Sequence, residues 1–203
     1  MNKVFDYNGT FVSASKPLKQ LKTVRKVLNI DSGDRDLTKY LRNNDFVIYL
    51  PRVYENVVSL RLMSAEIPSS PTVVDSMGLV GGLATGLYYI IDIEGLNKAD
   101  ECSVGADRSG YPDGFFAKIP ADFSLTTFYN DHSAPENVAR YTPAIGKLDR
   151  LHIRTRTHQQ RIKNSNETIY WDSEYSLMFE IEYLDNVFDD FSSLETRISQ
   201  RGV

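Results

Sequence analysis

Alternation of apolar and polar residues at period two is the feature that most narrows what this chain can fold into, and it is densest between Val27 and Pro68. A repeat of two is the side-chain repeat of an extended strand, whose successive residues face opposite sides of a sheet. Over Asp45–Pro51 it places Phe46, Ile48 and Leu50 on one face, and Pro51, which lacks an N–H, is expected to end that strand. Over Val57–Met63 it places Val58, Leu60 and Leu62 on one face and Ser59 and Arg61 on the other. Ahead of both lies a predicted first strand over Thr23–Ile30, which runs into the charged knot Asp31-Ser32-Gly33-Asp34-Arg35-Asp36. Asp and Ser side chains bond nearby backbone N–H groups and Gly tolerates positive φ, so the chain is expected to turn there.

The same period recurs downstream. Leu87, Tyr89, Ile91 and Ile93 share a face, and Phe115–Ile119 reads as a strand stopped by Pro120. Ser124–Asn130 and Ala139–Thr142 carry weaker patterns. Leu151, Ile153, Thr155 and Thr157 alternate with His152, Arg154, Arg156 and His158, giving one inward and one basic outward face. Leu177, Phe179, Ile181 and Tyr183 alternate with Met178, Glu180 and Glu182. About eight strands in a row without a helical pattern predict an all-β fold, a single eight-stranded antiparallel jelly roll of two packed sheets. The chain of 203 residues suits one domain. The expected organisation is an extended N-terminal arm over 1–22, the jelly-roll domain over 23–186 and a tail over 187–203, where Ser192 and Glu195 fit a capping box for a helical turn. Ser69–Gly86 and Gln159–Glu174 read as long loops, candidate interaction surfaces.

Composition excludes little but charge is uneven. The formal net charge of −4 gives no basic field for nucleic acid over the whole chain. Residues 1–26, however, carry Lys3, Lys16, Lys19, Lys22, Arg25 and Lys26 against Asp6 alone, a net of +5 suited to an anionic surface or to a solvated tail. The first twenty residues hold no continuous apolar core of about 7–15 residues, and Ser76–Ile91 is too short and Gly-rich for a spanning helix, so the chain reads as soluble or peripheral. Cys102 stands alone, which rules out an intrachain disulfide.

Chemistry-bearing patterns are sparse. Counting from Asp31, an EF-hand would need Gly at the sixth position and Glu at the twelfth, where Asp36 and Arg42 stand. Arg35 is therefore expected to hold the turn, bridging Asp31, Asp36 or nearby carbonyls with its planar fork, beside Asp34. His132, His152 and His158 are too few and too far apart for a cupin-type metal centre, the last two being about 20 Å apart along one strand. No Gly-x-Ser-x-Gly elbow, Walker loop or HExxH is present, and Asp189-Asp190 reads as a solvated pair. Asn8-Gly9-Thr10 and Asn166-Glu167-Thr168 are sequons, informative only in a secretory lumen. No enzyme and no cofactor is expected.

Several pieces in order carry a resemblance. Asp31-Ser32, Arg35-Asp36, Leu50-Pro51, Asn56-Val57-Val58-Ser59-Leu60-Arg61-Leu62 and Ile67-Pro68, then Leu148–Arg154 and Tyr175–Ile181, resemble the single jelly-roll penton and minor capsid proteins of large nucleocytoplasmic DNA viruses, the chlorella virus, iridovirus and asfarvirus groups. Gly33 departs from that pattern, since the family more often has a basic residue there. The resemblance implies a structural capsid protein of the virion, assembled in the host cytoplasm. It implies a penton subunit at the five-fold vertices first and another minor capsid role second. Implied partners are four further copies in a pentamer, the major capsid protein and other minor capsid proteins. The basic arm would meet the inner shell or a membrane, and no sequence-specific nucleic acid binding is implied. A reading from another class is a glycan-binding, lectin-like jelly roll using Tyr88, Tyr111 or Trp171 as an exposed platform.

Overall fold

The computed structural model describes residues 4–5, 11–12, 21–69, 72–74, 80–81, 87–98, 114–121, 125–130, 137–157 and 168–186. The described elements are β1 (Val4–Phe5), β2 (Phe11–Val12), β3 (Leu21–Asp31), a 3-10 turn (Ser32–Asp34), β4 (Asp45–Ile67), β5 (Thr72–Val74), β6 (Val80–Gly81), β7 (Tyr88–Ile93), β8 (Ala117–Pro120), β9 (Thr127–Asn130), β10 (Val138–Thr157), β11 (Thr168–Tyr170) and β12 (Ser176–Asn186). Among the described residues these strand pairings are antiparallel, and the fold is all-β with a strongly curled sheet.

The chain divides into two units, Val24–Tyr183 and a second made of Met1–Thr23 with Leu184–Val203. In the second, β1 and β2 pair, Val4 opposite Val12 and Phe5 opposite Phe11. The capping box at Ser192 lies outside the described residues, as do His132, His158, Cys102, Tyr111 and Asp189-Asp190.

In the larger unit one hydrogen-bonded ladder runs β3-β12-β4-β10-β7-β8, with β9 added on β4. This corrects the expectation of separate strands. Asp45–Pro51 and Val57–Met63 are parts of one strand of 23 residues, and Ala139–Thr142 joins Leu151–Thr157 in one of 20. Pro51 does not end β4, because it lies where β4 loops away from its partner. Leu148 faces Tyr54 but Arg150 faces Tyr49, so the residues around Pro51 have no ladder bond to lose. In β10 the surplus falls on the other strand, between Arg140 opposite Ser59 and Ile145 opposite Val57, and it contains Pro143. Arg52 covers the bend in β4, its guanidinium 4.8 Å from the Tyr54 ring and 5.2 Å from the Tyr183 ring. Pro120 likewise sits within β8, opposite Tyr88, as the last residue of the strand.

Face parity also changes along β4. Glu182 faces Ser59 while Tyr183 faces Val57, and Met178 faces Ser64 while Phe179 faces Leu62, so Val58 and Met63 are extra residues. Each bulge advances the strand by one residue without turning the face over. The inward set is therefore Val57, Leu60, Leu62, Ala65 and Ile67, not Val58, Leu60 and Leu62. Asn56, at φ 53°, takes the left-handed conformation that Asn tolerates just before the first bulge.

The core gathers these residues with Phe46, Tyr89, Ile91, Ile93, Ile119, Leu151, Ile153 and the inward face of β12. Leu151, Ile153, Thr155 and Thr157 on β10, and Leu177, Phe179, Ile181 and Tyr183 on β12, are buried as their alternation predicts. Leu87 is not, being exposed just ahead of β7. Phe116, beside β8, meets Phe179 of β12 with ring centroids 5.8 Å apart, so strands from opposite ends of the ladder enclose one core.

Neither predicted long loop is wholly irregular. β5 and β6 lie in the first and β11 in the second, and β11 pairs with β5 so that Thr168 faces Val74 and Tyr170 faces Thr72. The β-branched runs Thr72-Val73-Val74 and Thr168-Ile169 supply the strand preference that the surrounding polar residues hide.

Candidate functional site

The knot after β3 folds around a carboxylate that comes from far along the chain. Arg35, buried although charged, donates from Nε to the Tyr40 carbonyl at 3.0 Å, and from Nη1 to the Ser32 carbonyl at 2.7 Å and to Glu174 Oε2 at 2.6 Å. Its carboxylate partner is thus Glu174, not Asp31 or Asp36. Those two acids serve locally: Asp31 Oδ1 accepts from the Gly33 N–H at 2.8 Å, and Asp36 Oδ1 accepts from the Thr38 N–H and hydroxyl. The side-chain bond from Thr38 holds the Asp36 carboxyl below its usual range. Asp34, exposed in the 3-10 turn, lines an open groove of about 620 Å³ between β3 and the Val47–Pro51 part of β4.

Gly33 has a structural reason to be small. A Cβ there would stand 3.1 Å from Asp31 Oδ1, so a larger residue crowds the cap, while Glu174 Cγ at 3.4 Å would be in ordinary contact.

Glu174 also accepts from the Ser32 hydroxyl and, at 3.4 Å, from Asn43 Nδ2. Burial opposes its charged form, but the bonds from Arg35 and Ser32 outweigh burial and lower its pKa. Ser32 is fastened twice more, its N–H donating to the Tyr175 carbonyl and its Oγ accepting from the Tyr175 N–H, both at 2.9 Å. Asn43 closes the other side. Its amide bonds the backbone of Trp171 in both directions and the Ser173 carbonyl at 3.0 Å, and its own carbonyl accepts from the Tyr175 hydroxyl at 2.8 Å. This cluster is an anchor. It ties the turn after β3 and the approach to β4 onto the segment before β12.

A second polar cluster lies on the outward face of β10. Pairing sets His152 opposite Val47 and Arg154 opposite Asp45 on β4, and Arg154 opposite Asp92 on β7. His152 Nε2 lies 2.6 Å from Asp45 Oδ1, and its Nδ1 meets Glu94 Oε2. Arg154 Nε donates to Asp45 Oδ2 at 3.2 Å, while Arg156 grips Asp92 with two bonds of 2.5 and 3.0 Å. His152, Arg154, Arg156, Asp92 and Glu94 line an open cleft of about 480 Å³ with Gly95, Asn97 and Gly114. Both ring nitrogens of His152 are engaged by carboxylates, so the imidazole is arranged to join strands rather than to take a proton from a substrate. Among the described residues no three His, Cys, Asp or Glu side chains converge to hold a metal ion, and no helix is long and apolar enough to cross a membrane.

Glu174, Asn43, Asp45 and Glu94 were not legible as site residues. Their partners lie 107 or more residues away, except for the 58 that separate Glu94 from His152. The basic outward face of β10 was the one usable signal, since a cationic strand face at a sheet centre asks for acids on its neighbours.

Comparison with known proteins found no family that matches the chain and no curated protein of significant similarity.

Proposed function

We propose that the chain is a structural subunit of an icosahedral shell, built on a jelly roll, with the five-fold vertex as its position. The observation that carries this reading is the order of strand halves. Taking β4 and β10 as two halves each, and setting apart β9, which is added on late β4, the ladder separates into β3, β12, late β4 and early β10, followed by early β4, late β10, β7 and β8. Two groups of four strands over one core are the plan of the eight-stranded jelly roll, a fold common among viral shells. Support also comes from the Asp31–Pro68, Leu148–Arg154 and Tyr175–Ile181 motifs, whose residues include Ser32 and Arg35 of the anchor and much of the core. Shell subunits act through surfaces, each contacting a different face of its neighbour around a closed ring. Reconstruction of the intact particle is the test: density for this chain at the five-fold axes is expected, and density only elsewhere in the shell overturns the vertex assignment.

The glycan-binding alternative has less to stand on. Trp171 is 3% exposed and packs edge-on against Tyr89 and Tyr175, and Tyr88 is buried, so two of its three proposed platform residues do not face solvent.

A further inference from the structure

We propose that His152 is a proton-operated clasp that ties β10 to β4 and to the turn after β7, and that it releases the turn when the imidazole becomes neutral. Asp45 and Glu94 approach opposite nitrogens of one ring, an arrangement that only the imidazolium satisfies, because both nitrogens then donate. A neutral ring keeps one N–H and turns a lone pair towards the other carboxylate.

Which carboxylate leaves is decided by its other partners. Asp45 stays bonded to Arg154. Asp92, on β7, is held by Arg156 and by Asn97. Glu94 has a side chain 76% exposed, and His152 is its cation among the described residues. Deprotonation therefore sends Glu94 to water and leaves the Nε2–H on Asp45. The remaining charges around the ring are Arg150 on β10 and, from the chain before β4, Lys39 and Arg42 in a hollow that His152 also lines. None of these replaces Glu94 as an acceptor for Nδ1.

Burial opposes the charged imidazole most, yet the bonds from Glu94 and Asp45 prevail and raise the pKa above 6.5. The clasp's contribution is thus complete below about pH 6.5 and disappears as pH rises through the folded-state value. The moving part is short. The Glu94 N–H donates to the His152 carbonyl at 3.1 Å and Gly95 turns at φ 75°, so loss of the side-chain bond loosens one end of the charged cleft while the backbone bond remains.

The test uses the full chain. Imidazole resonances are followed by NMR from about pH 5 to about pH 9, the His152 signal being assigned by its absence in His152→Gln. His152 is expected to titrate above the ordinary histidine range, the Gly95 amide to shift with the same midpoint, and Glu94→Gln to lower that midpoint. A midpoint at or below the ordinary range, or one unmoved in Glu94→Gln, overturns the clasp. Urea unfolding gives an independent reading, because Glu94 is exposed and its amide variant keeps the fold. The stability gap between wild type and Glu94→Gln is expected to shrink towards zero as pH rises, whereas a gap constant with pH is the signature of a plain structural bond and overturns the proposal.

Discussion

Arg35 is a buried cation whose removal takes a charged donor from two carbonyls and a carboxylate, so its effect on stability follows from what is left behind. Its side chain is 6% exposed but that of Glu174 is 41% exposed, and water reaches one partner. Arg35→Ala is expected to cost about 2–3 kcal/mol in urea unfolding, below the roughly 3–5 typical when both members are buried. Arg35→Lys is expected to recover less than half of this, since an ammonium cannot span the Tyr40 and Ser32 carbonyls and Glu174 together. Because the Glu174 pKa is lowered in the folded state, its contribution is present above its ordinary value near 4.5 and is lost as pH falls through the folded value. Wild type and Glu174→Gln are therefore expected to differ in stability at neutral pH and to converge in acid, as measured by unfolding at a series of pH values.

Asn137 carries a comparable role elsewhere in the unit. Its side chain accepts from the Lys118 N–H and donates to the Lys118 carbonyl, both at 3.0 Å, and to the Tyr129 hydroxyl at 2.8 Å, while its own carbonyl accepts from the Leu62 N–H. It stands in for a strand between β8 and β9. Asn137→Ala is expected to cost about 2–4 kcal/mol by leaving several buried groups unpaired. Asn137→Asp should cost at least as much, because it puts an acceptor against the Lys118 carbonyl.

At the scale of the element, β4 shows why alternation alone misassigns a long strand. Two bulges, at Val58 and Met63, shift which residues face the core without changing which residues are apolar. Val57 is 0% exposed and Val58 is half-buried. Val57→Ala is expected to cost about 2–3 kcal/mol and Val58→Ala less than about 1 kcal/mol. Equal losses in urea unfolding would place the register of β4 against β12 in error. The prolines follow the same logic. Pro51 and Pro143 are tolerated inside long strands because each sits where its own strand has surplus residues and no ladder bond to give.

For the whole molecule, the proposed role is assembly, and the first twenty residues are the place to separate folding from assembly. The ladder of the larger unit is built from residues that follow them. Deletion of residues 1–20 is expected to leave the melting temperature within about 2 °C of wild type, less than one kcal/mol for a domain of this size, while reducing incorporation into particles. Unfolding of the shortened chain would make that segment part of the core instead.

The all-β class, the inward faces of late β10 and β12 and the turn at Asp31–Asp36 were legible in the residues, because each rests on a period or a preference confined to a few neighbours. Tertiary structure alone decided the rest. It joined predicted strands into two long bent ones, since a bulge is a property of two strands in register and not of either sequence. Glu174 became the partner of Arg35 because proximity across 139 residues is set by the path of the ladder. Placement of Asp45 and Glu94 on either side of His152 follows from that same path. A local sequence can state that a cation needs an anion, but only the assembled sheet determines which anion arrives.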